Sequence, residues 1–168
     1  MLRKKRKKGI KLEIPGFGDR VIHTVLSDYD GTLSCGGEVA SALKDQLIKL
    51  ADLADIHVLT ADKKAKSQDC FGPLPLTVHI LKDGDQDLQK REYLEQFDAS
   101  HVAALGNGHN DRLLFEAVRT GGGLCIAVEN GEGCAVDLVI HAHVFIHGAA
   151  KALNLLLNPD LCAAALRY

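Results

Sequence analysis

Two aspartates that follow an apolar run offer the chemistry of phosphoryl transfer. The run Val21–Ser27 is followed directly by Asp28-Tyr29-Asp30-Gly31-Thr32-Leu33. Side chains two residues apart in a strand point to the same side, so Asp28 and Asp30 could reach one substrate where the strand ends. One carboxylate could attack phosphorus as a nucleophile, and the other could exchange a proton with the leaving oxygen. Gly31 would let the backbone turn sharply at this point.

Further polar residues follow in order along the chain. Ile56–Thr60 is a short apolar run that ends in a threonine, and Lys90 opens a helical segment. The apolar run Val102–Leu105 is then followed by Gly106-Asn107-Gly108-His109-Asn110-Asp111. Each of these segments lies at the carboxyl end of a predicted strand or at the start of a helix. Ligands of open α/β sheets bind at the carboxyl ends of the strands, so the pattern predicts one shared site.

In this order and placement, the segments resemble the four motifs of the haloacid dehalogenase (HAD) superfamily of phosphotransferases. The resemblance covers about Val21 to Leu157, and the Gly-Asn-Gly form of the last motif looks most like the soluble P-type ATPase-like phosphatases. It implies a three-layer, doubly wound α/β fold, a Rossmann-like HAD core, with a mostly parallel sheet ordered 3-2-1-4-5. No cap domain is expected, because Leu33 to Val39 leaves room only for a small flap, Ser34–Glu38.

The resemblance also implies catalytic roles. Asp28 would be the nucleophile that forms an acyl phosphate, and Asp30 would be the general acid and then the base for water. The phosphate would be bound by the side chains of Thr60 and Lys90 and by the backbone N–H groups of Tyr29 and Gly31.

A second lysine competes with Lys90 for contact with the phosphate. Lys82 lies in the turn formed by Asp83-Gly84-Asp85, whereas Lys90 starts the helix that precedes the fourth strand. The position of Lys90 is therefore preferred.

The acidic residues imply a Mg²⁺ cofactor, because Mg²⁺ takes oxygen ligands and retains waters. The predicted ligands are Asp28, Asp30 through its backbone carbonyl, Asn107 and Asp111, with Asn110 orienting them. Asn107 stands where the commoner Gly-Asp-Gly-x-Asn-Asp pattern has an acid. The sequence therefore predicts weaker metal binding, and it leaves open a slow or degenerate enzyme.

Each of these residues also has a purely structural interpretation. The two aspartates could be turn formers before Gly31, and Asn110 or Asp111 could cap a helix. A threonine fits any strand and a lysine fits any helix surface, so Thr60 and Lys90 would mean little on their own. The order and strand-end placement of the whole set favour the functional interpretation.

Composition sets broad limits on the class of protein. A chain of 168 residues with 46% hydrophobic residues predicts one globular domain. No run of about 18 apolar residues or signal-peptide pattern is present, so neither a membrane span nor secretion is expected. The five cysteines lack Cys-x-x-Cys spacing, which favours reduced thiols in a cytoplasmic protein. The spacing in His141-Ala142-His143 would suit a metal, but no third ligand lies near in the sequence.

The N-terminus is strongly basic. Arg3–Lys8 contains only arginine and lysine, and without these six residues the 20 basic and 22 acidic residues become 14 and 22, a balance of −8. We expect residues 1–9 to form a disordered tail and residues 10–168 to form a single HAD-like phosphatase domain. The arm could bind nucleic acid, although no aromatic residue is interleaved to stack on bases.

These observations give two hypotheses for function. The first is a Mg²⁺-dependent phosphohydrolase that acts on a phosphomonoester, either a small molecule or a macromolecule. Because an uncapped site is open to water, we also expect a homo-oligomer or a bulky substrate to cover it. The alternative is a non-catalytic binding or regulatory module on the same fold, which could use Arg3–Lys8 to bind nucleic acid.

Hydrophobic periodicity predicts the elements that carry the motifs. The predicted strands are Val21–Asp28, Ile56–Thr60, Thr77–Leu81, Val102–Leu105, Leu124–Val128 and Asp137–Ile140, with a further edge strand at Lys11–Ile14. The predicted helices are Val39–Leu53, Asp85–Phe97, Asn110–Val118 and Gly148–Leu157, and Pro159 is expected to close the last helical region.

Overall fold

A parallel sheet forms the centre of the fold. The computed structural model describes residues 7–61 and 70–168. The strands are β1 (Ile10–Leu12), β2 (Arg20–Ile22), β3 (Thr24–Asp28), β4 (Asp55–Thr60), β5 (Thr77–Ile80), β6 (Val102–Gly106), β7 (Leu124–Glu129) and β8 (Val144–His147). Six of them pair in parallel in the order β5-β4-β3-β6-β7-β8. Counted from β3, this is the predicted 3-2-1-4-5 order with a sixth strand added at the edge.

Helices cover both faces of this sheet. They are α1 (Ser41–Ala51), α2 (Gln86–Leu94), α3 (Arg112–Thr120), α4 (Val136–Val139), α5 (Ala149–Leu157) and α6 (Pro159–Leu166). The four predicted helices correspond to α1, α2, α3 and α5. The third starts later than expected, because His109–Asp111 forms a 3-10 turn before it. Pro159 begins α6 instead of ending the helical region, since a proline at the first helical position loses no hydrogen bond.

Two hydrophobic cores, one on each face of the sheet, produce the three-layer architecture. In β3 every residue is buried, and successive residues point to opposite faces. Val25 packs in the core that includes α1 and α5, and Leu26 packs in the core that includes α2 and α3. Strands buried on both faces read as continuous apolar runs, which is why the central strands were predictable from sequence.

The predicted strand Val21–Asp28 is in fact two strands, separated at His23. β2 pairs with β1 in an antiparallel two-stranded sheet, and β3 enters the main sheet. At the break, the backbone N–H of His23 donates to the carbonyl of His101 at 2.8 Å. The predicted edge strand Lys11–Ile14 corresponds to β1, which belongs to this small sheet and not to the central one.

The predicted strand Asp137–Ile140 is wrong. This segment lies in and just after the short helix α4, where Leu138 is buried and Val136 and Ile140 are exposed. The sixth strand is β8 instead, which pairs with β7 at the edge of the sheet. A short apolar run such as Leu138-Val139-Ile140 does not distinguish a strand from a single helical turn.

Only a small hairpin lies between β3 and α1, in agreement with the predicted flap. Cys35 and Glu38 exchange backbone hydrogen bonds of 3.0 and 3.2 Å. Gly36 and Gly37 have φ angles of 60° and 79°, as a tight hairpin turn with positive φ at both central positions requires. The described residues therefore contain no cap domain at this position.

Part of the basic N-terminal segment lies outside the described residues. Lys7, which is described, donates from Nζ to the carbonyl of Ala54 at 2.9 Å and pairs with Asp55 at 2.8 Å. The division into a tail and a domain, and the nucleic-acid role of Arg3–Lys8, stay predictions. Among the described helices, none combines the length and apolarity that crossing a bilayer demands.

Candidate active site

Three ionisable side chains from distant parts of the chain meet at the carboxyl edge of the sheet. Asp28 is the last residue of β3, Lys90 lies in α2, and Asp111 ends the 3-10 turn that follows β6. The Nζ atom of Lys90 lies 2.7 Å from Oδ1 of Asp28 and 2.6 Å from Oδ1 of Asp111. Lys90 is only 1% exposed, so this cation is almost completely removed from water.

The burial of these charges sets their protonation. Burial alone acts to lower the pKa of Lys90, but the carboxylates of Asp111 and Asp28 outweigh it and raise that pKa, so the ammonium stays charged. Burial raises the pKa of Asp28 from 3.8 to about 7, although Lys90 and a hydrogen bond from the backbone N–H of Tyr29 act in the opposite direction. Asp28 is thus a buried acid that a further cation would help to ionise.

Asp111 organises the loop that follows β6. Its Oδ2 atom accepts hydrogen bonds from the backbone N–H groups of Asn107 and Gly108, each at 3.1 Å. Gly106 makes this close approach possible, because a Cβ at that position would lie 2.5 Å from the Asp111 carboxyl carbon. Both carboxylate oxygens of Asp111 therefore have protein partners: Oδ1 has Lys90, and Oδ2 has the loop backbone.

A hydroxyl and an amide connect this loop to the turn that follows β3. Oγ1 of Thr32 lies 3.3 Å from Oδ2 of Asp28 and 3.2 Å from Oδ1 of Asn107. The amide nitrogen of Asn107 donates to the carbonyl of Gly133 at 3.2 Å. Gly31 permits this packing, since it has a φ of 73° and an added Cβ would lie 2.2 Å from the Asn107 nitrogen.

The other predicted site residues differ in their placement. Asp30 is exposed beside Asp28, and Thr60 is buried at the carboxyl end of the neighbouring strand β4. The ring of Tyr29 is buried, and its hydroxyl donates to the carbonyl of Gly37 at 2.8 Å, which fixes the turn below the flap. Of the two candidate lysines, Lys90 lies at the site and Lys82 is exposed in the loop before α2.

Asn110, which precedes Asp111, contacts α2 beside the ion pairs. Its amide nitrogen donates to Oε1 of Gln86, the first residue of α2, at 3.2 Å. It therefore connects the 3-10 turn before α3 to the helix that supplies Lys90.

Sequence reasoning did not identify Thr32 or the loop of residues 130–135 as parts of the site. Thr32 belongs to the same six-residue segment as the two aspartates, so it could have been singled out. The loop carries no such signal, because its contact with Asn107 is made by a backbone carbonyl. The same loop also contacts the flap: the backbone N–H of Gly36 donates to Oε1 of Glu132 at 2.6 Å, and Nδ2 of Asn130 donates to the Ser34 carbonyl at 3.3 Å.

The residues fit a Mg²⁺ ion that keeps most of its water. Among the residues that the structure describes, no group of three His, Cys, Asp or Glu side chains could hold a metal ion. His141 and His143 have separate partners, a Glu116 carboxylate oxygen at 3.3 Å and the backbone N–H of Cys125 at 3.0 Å. Mg²⁺ is commonly bound by one or two carboxylates, with water and phosphate oxygens completing the octahedron. Asp28, which is 8% exposed at the end of β3, supplies a carboxyl group for that kind of site.

Comparison with solved structures agrees with this architecture. A cobalt-bound deoxy-D-mannose-octulosonate 8-phosphate phosphatase from Haemophilus influenzae is 16% identical, with a TM-score of 0.62 over 86% of this chain and 89% of that chain. A protein from Streptomyces avermitilis described as a HAD family hydrolase is 19% identical, with a TM-score of 0.63 over 89% and 91% of the two chains. A 3-deoxy-D-manno-octulosonate 8-phosphate phosphatase from Moraxella catarrhalis, in complex with magnesium, phosphate and KDO, is 19% identical, with a TM-score of 0.60 over 87% and 94%.

These likenesses establish the fold. The chain has the doubly wound α/β fold that HAD hydrolases of known structure share, and it spans nearly the full length of each of these three. No protein-family model and no curated protein matches the sequence.

Proposed function

We propose that this protein is a Mg²⁺-dependent phosphohydrolase that cleaves phosphomonoesters through an aspartyl-phosphate on Asp28. The observation that carries the proposal is the position of Asp28. It is an acid at the carboxyl end of the central strand, held by the buried Lys90 and followed two residues later by the exposed Asp30. The fold shared with phosphatases supports the same reaction class.

In the first step, a carboxylate oxygen of Asp28 attacks phosphorus and the bond from phosphorus to the leaving oxygen breaks. Asp30 gives its proton to that oxygen as general acid. In the second step, Asp30 accepts a proton from water as the water attacks phosphorus, which releases phosphate and restores the Asp28 carboxylate. The exposure of Asp30 suits this exchange of protons with solvent and with a leaving group.

Lys90 has two tasks in this mechanism. It balances the charge of Asp28 and Asp111, and two of its three N–H donors are used by these carboxylates. The third donor would contact a phosphoryl oxygen. Thr60 would donate to another such oxygen, and the backbone N–H groups of Tyr29 and Gly31 would line the same cradle. When bound by the Asp28 carboxylate and the Asp30 carbonyl, Mg²⁺ would supply positive charge to the phosphoryl oxygens.

Asn107 and Asp111 were expected to help bind the metal, and that role stays a prediction. Both side chains already have protein partners at each polar atom. Asn110 would act indirectly by holding the turn before α3 against α2.

The openness of the site at the carboxyl edge of the sheet, called the rim below, limits the kinds of substrate that it suits. Because the described residues include no cap domain between β3 and α1, water must be excluded by the substrate itself or by a second subunit. We infer a phosphomonoester whose leaving group covers the rim, with a homo-oligomer as the other means of covering it. The two octulosonate 8-phosphate phosphatases named above make sugar-acid phosphates a reasonable first class to assay.

The test is turnover of para-nitrophenyl phosphate and of a panel of sugar phosphates by the full-length protein with Mg²⁺. Asp28→Asn should abolish turnover and also prevent binding of a beryllium fluoride phosphate analogue. Asp45→Asn, which makes the same change on the exposed surface of α1, is the matched control and should retain full activity. Absence of both turnover and analogue binding in the metal-replete wild type would contradict the proposal and favour a non-catalytic binding module.

A further inference from the structure

We propose that Asn107 is a positioning residue that links the turn of residues 28–34, which carries the proposed nucleophile and is called the nucleophile turn below, to the loop of residues 130–135, and that it is not a metal ligand. This inference rests on the proposed function, because it assigns the amide a task at the same site. It also accounts for an amide at a position where an acid was expected.

The two ends of the amide have different partners. Its oxygen accepts from Thr32, whose hydroxyl also lies 3.3 Å from Oδ2 of Asp28. Its nitrogen donates to the carbonyl of Gly133. A backbone carbonyl can only accept hydrogen bonds, so the atom that faces Gly133 must carry hydrogen. The orientation of the amide is therefore fixed, and its oxygen, the only one of its two polar atoms that could bind a cation, accepts from the Thr32 hydroxyl.

An aspartate could not replace this amide. It would place a carboxylate oxygen about 3 Å from the Gly133 carbonyl, where two acceptors repel and no hydrogen bond can form. It would also add a negative charge beside Asp28 and Asp111. The amide thus satisfies both neighbours, and an acid would satisfy only Thr32.

Two further contacts show that this link through Asn107, called the tie below, is part of the local packing. The backbone N–H of Ala135 donates to the backbone carbonyl of Asn107 at 2.8 Å, so residue 107 holds the second half of the loop at two points, Gly133 and Ala135. On the other side, the amide nitrogen lies so close to Gly31 that even a methyl group there would displace it. Asn107 is therefore wedged between the nucleophile turn and the loop.

Through this loop the tie reaches the flap. Residues 130–135 contact the flap at Gly36 and Ser34 as well as contacting Asn107. Loss of the amide would remove the bond to Gly133 and so uncouple the loop from Thr32 in the turn, while the bonds of the loop to the flap, to the Asn107 backbone carbonyl and to Oε1 of Glu129 would remain. We expect the turn that carries Asp28 and Thr32 to lose its fixed alignment as a result.

Hydrogen exchange of the metal-free protein is the first test, because a residue that acts only as a metal ligand would not affect it. In Asn107→Ala and Asn107→Asp, amides of residues 31–38 and 130–135 should exchange about fivefold faster than in the wild type, as expected for the loss of one hydrogen bond. Asn110→Asp makes the same chemical change three residues away, at an amide bonded to Gln86, and should leave these segments at the wild-type rate. Wild-type exchange in both Asn107 variants would overturn the proposal.

Metal titration of activity is the second test. A defect in metal binding is relieved by excess Mg²⁺, whereas a positioning defect is not. We expect Asn107→Ala and Asn107→Asp to lower kcat at least about tenfold, with little change in KM and with no recovery at saturating Mg²⁺. Full recovery of either variant by excess Mg²⁺ would overturn the proposal. If the wild type shows no turnover, the proposed function fails, and the exchange experiment still decides whether the tie exists.

Discussion

We expect the Lys90→Met variant to unfold at a markedly lower temperature than the wild type. Methionine keeps most of the apolar stem but removes the cation that lies 2.7 and 2.6 Å from two carboxylates. Asp111 is fully buried and Asp28 is 8% exposed, so neither can recover its hydration. Removing one partner of a buried ion pair costs about 3–5 kcal/mol. For a domain of this size, that corresponds to a Tm lower by roughly 6–20 °C.

The dependence on pH distinguishes this cause from a simple packing defect. Without Lys90, the pKa of Asp28 in the folded state, which burial already raises, rises further above its unfolded value, so the folded form retains a proton that the unfolded form releases. The free energy of unfolding of Lys90→Met should therefore fall as pH rises. Its deficit relative to the wild type should be larger at pH 8 than at pH 5. A packing defect would give the same deficit at both values.

Urea unfolding followed by far-ultraviolet circular dichroism at pH 5 and pH 8 measures both effects. Lys82→Met, at an exposed lysine in the loop before α2, is the matched control and should stay within about 0.5 kcal/mol of the wild type. Lys90→Met/Asp111→Asn should recover part of the loss at pH 8, because it also removes a buried charge. If Lys90→Met were as stable as Lys82→Met, the buried triad of Asp28, Lys90 and Asp111 would be refuted.

Three further predictions concern Asp28 and Gly31. Because burial raises the pKa of Asp28 to about 7, kcat/KM should rise with pH through about 7 as the nucleophile ionises. Saturating Mg²⁺ should move this rise in kcat/KM to lower pH. A value of kcat/KM that does not change between pH 5 and pH 8 would contradict the prediction. With the pKa raised, the contribution of Asp28 to folding stability is present at low pH and is lost as pH rises through 7, a trend that Asp28→Asn should remove. Gly31→Ala should lower the free energy of unfolding by about 1–3 kcal/mol, and by more than Gly36→Ala. Both glycines have positive φ, but of the two only residue 31 would bring its Cβ into collision with another group, the Asn107 amide. Equal losses of stability in the two variants would therefore contradict this close contact.

The strand-end residues were the most predictable part of this molecule. Asp28, Thr60 and the residues after β6 could be placed at one edge because parallel strands share a direction and their buried runs are visible in the sequence. The contact of Lys90 with Asp28 required the resemblance to known motifs as well, since a lysine in a helix has no distinguishing sequence signal.

Features that depend on backbone pairing were not predictable in the same way. The break at His23 arises because its N–H is used by the His101 carbonyl, a contact between residues far apart in the chain. The error at Asp137–Ile140 arises because a four-residue helix has too few positions to establish a period. The partner of the Asn107 amide is a carbonyl of a glycine, and carbonyls carry no sequence signal at all.

The buried triad joins parts of the chain that are 62 and 21 residues apart in sequence. During synthesis, Asp28 emerges from the ribosome long before Lys90 and Asp111 exist to hold it. In the nascent chain, Asp28 is therefore an ordinary solvated carboxylate, without the buried cation that contacts it in the folded protein. The proposed phosphatase site would form only after the chain has been translated through Asp111 and β6 has paired with β3.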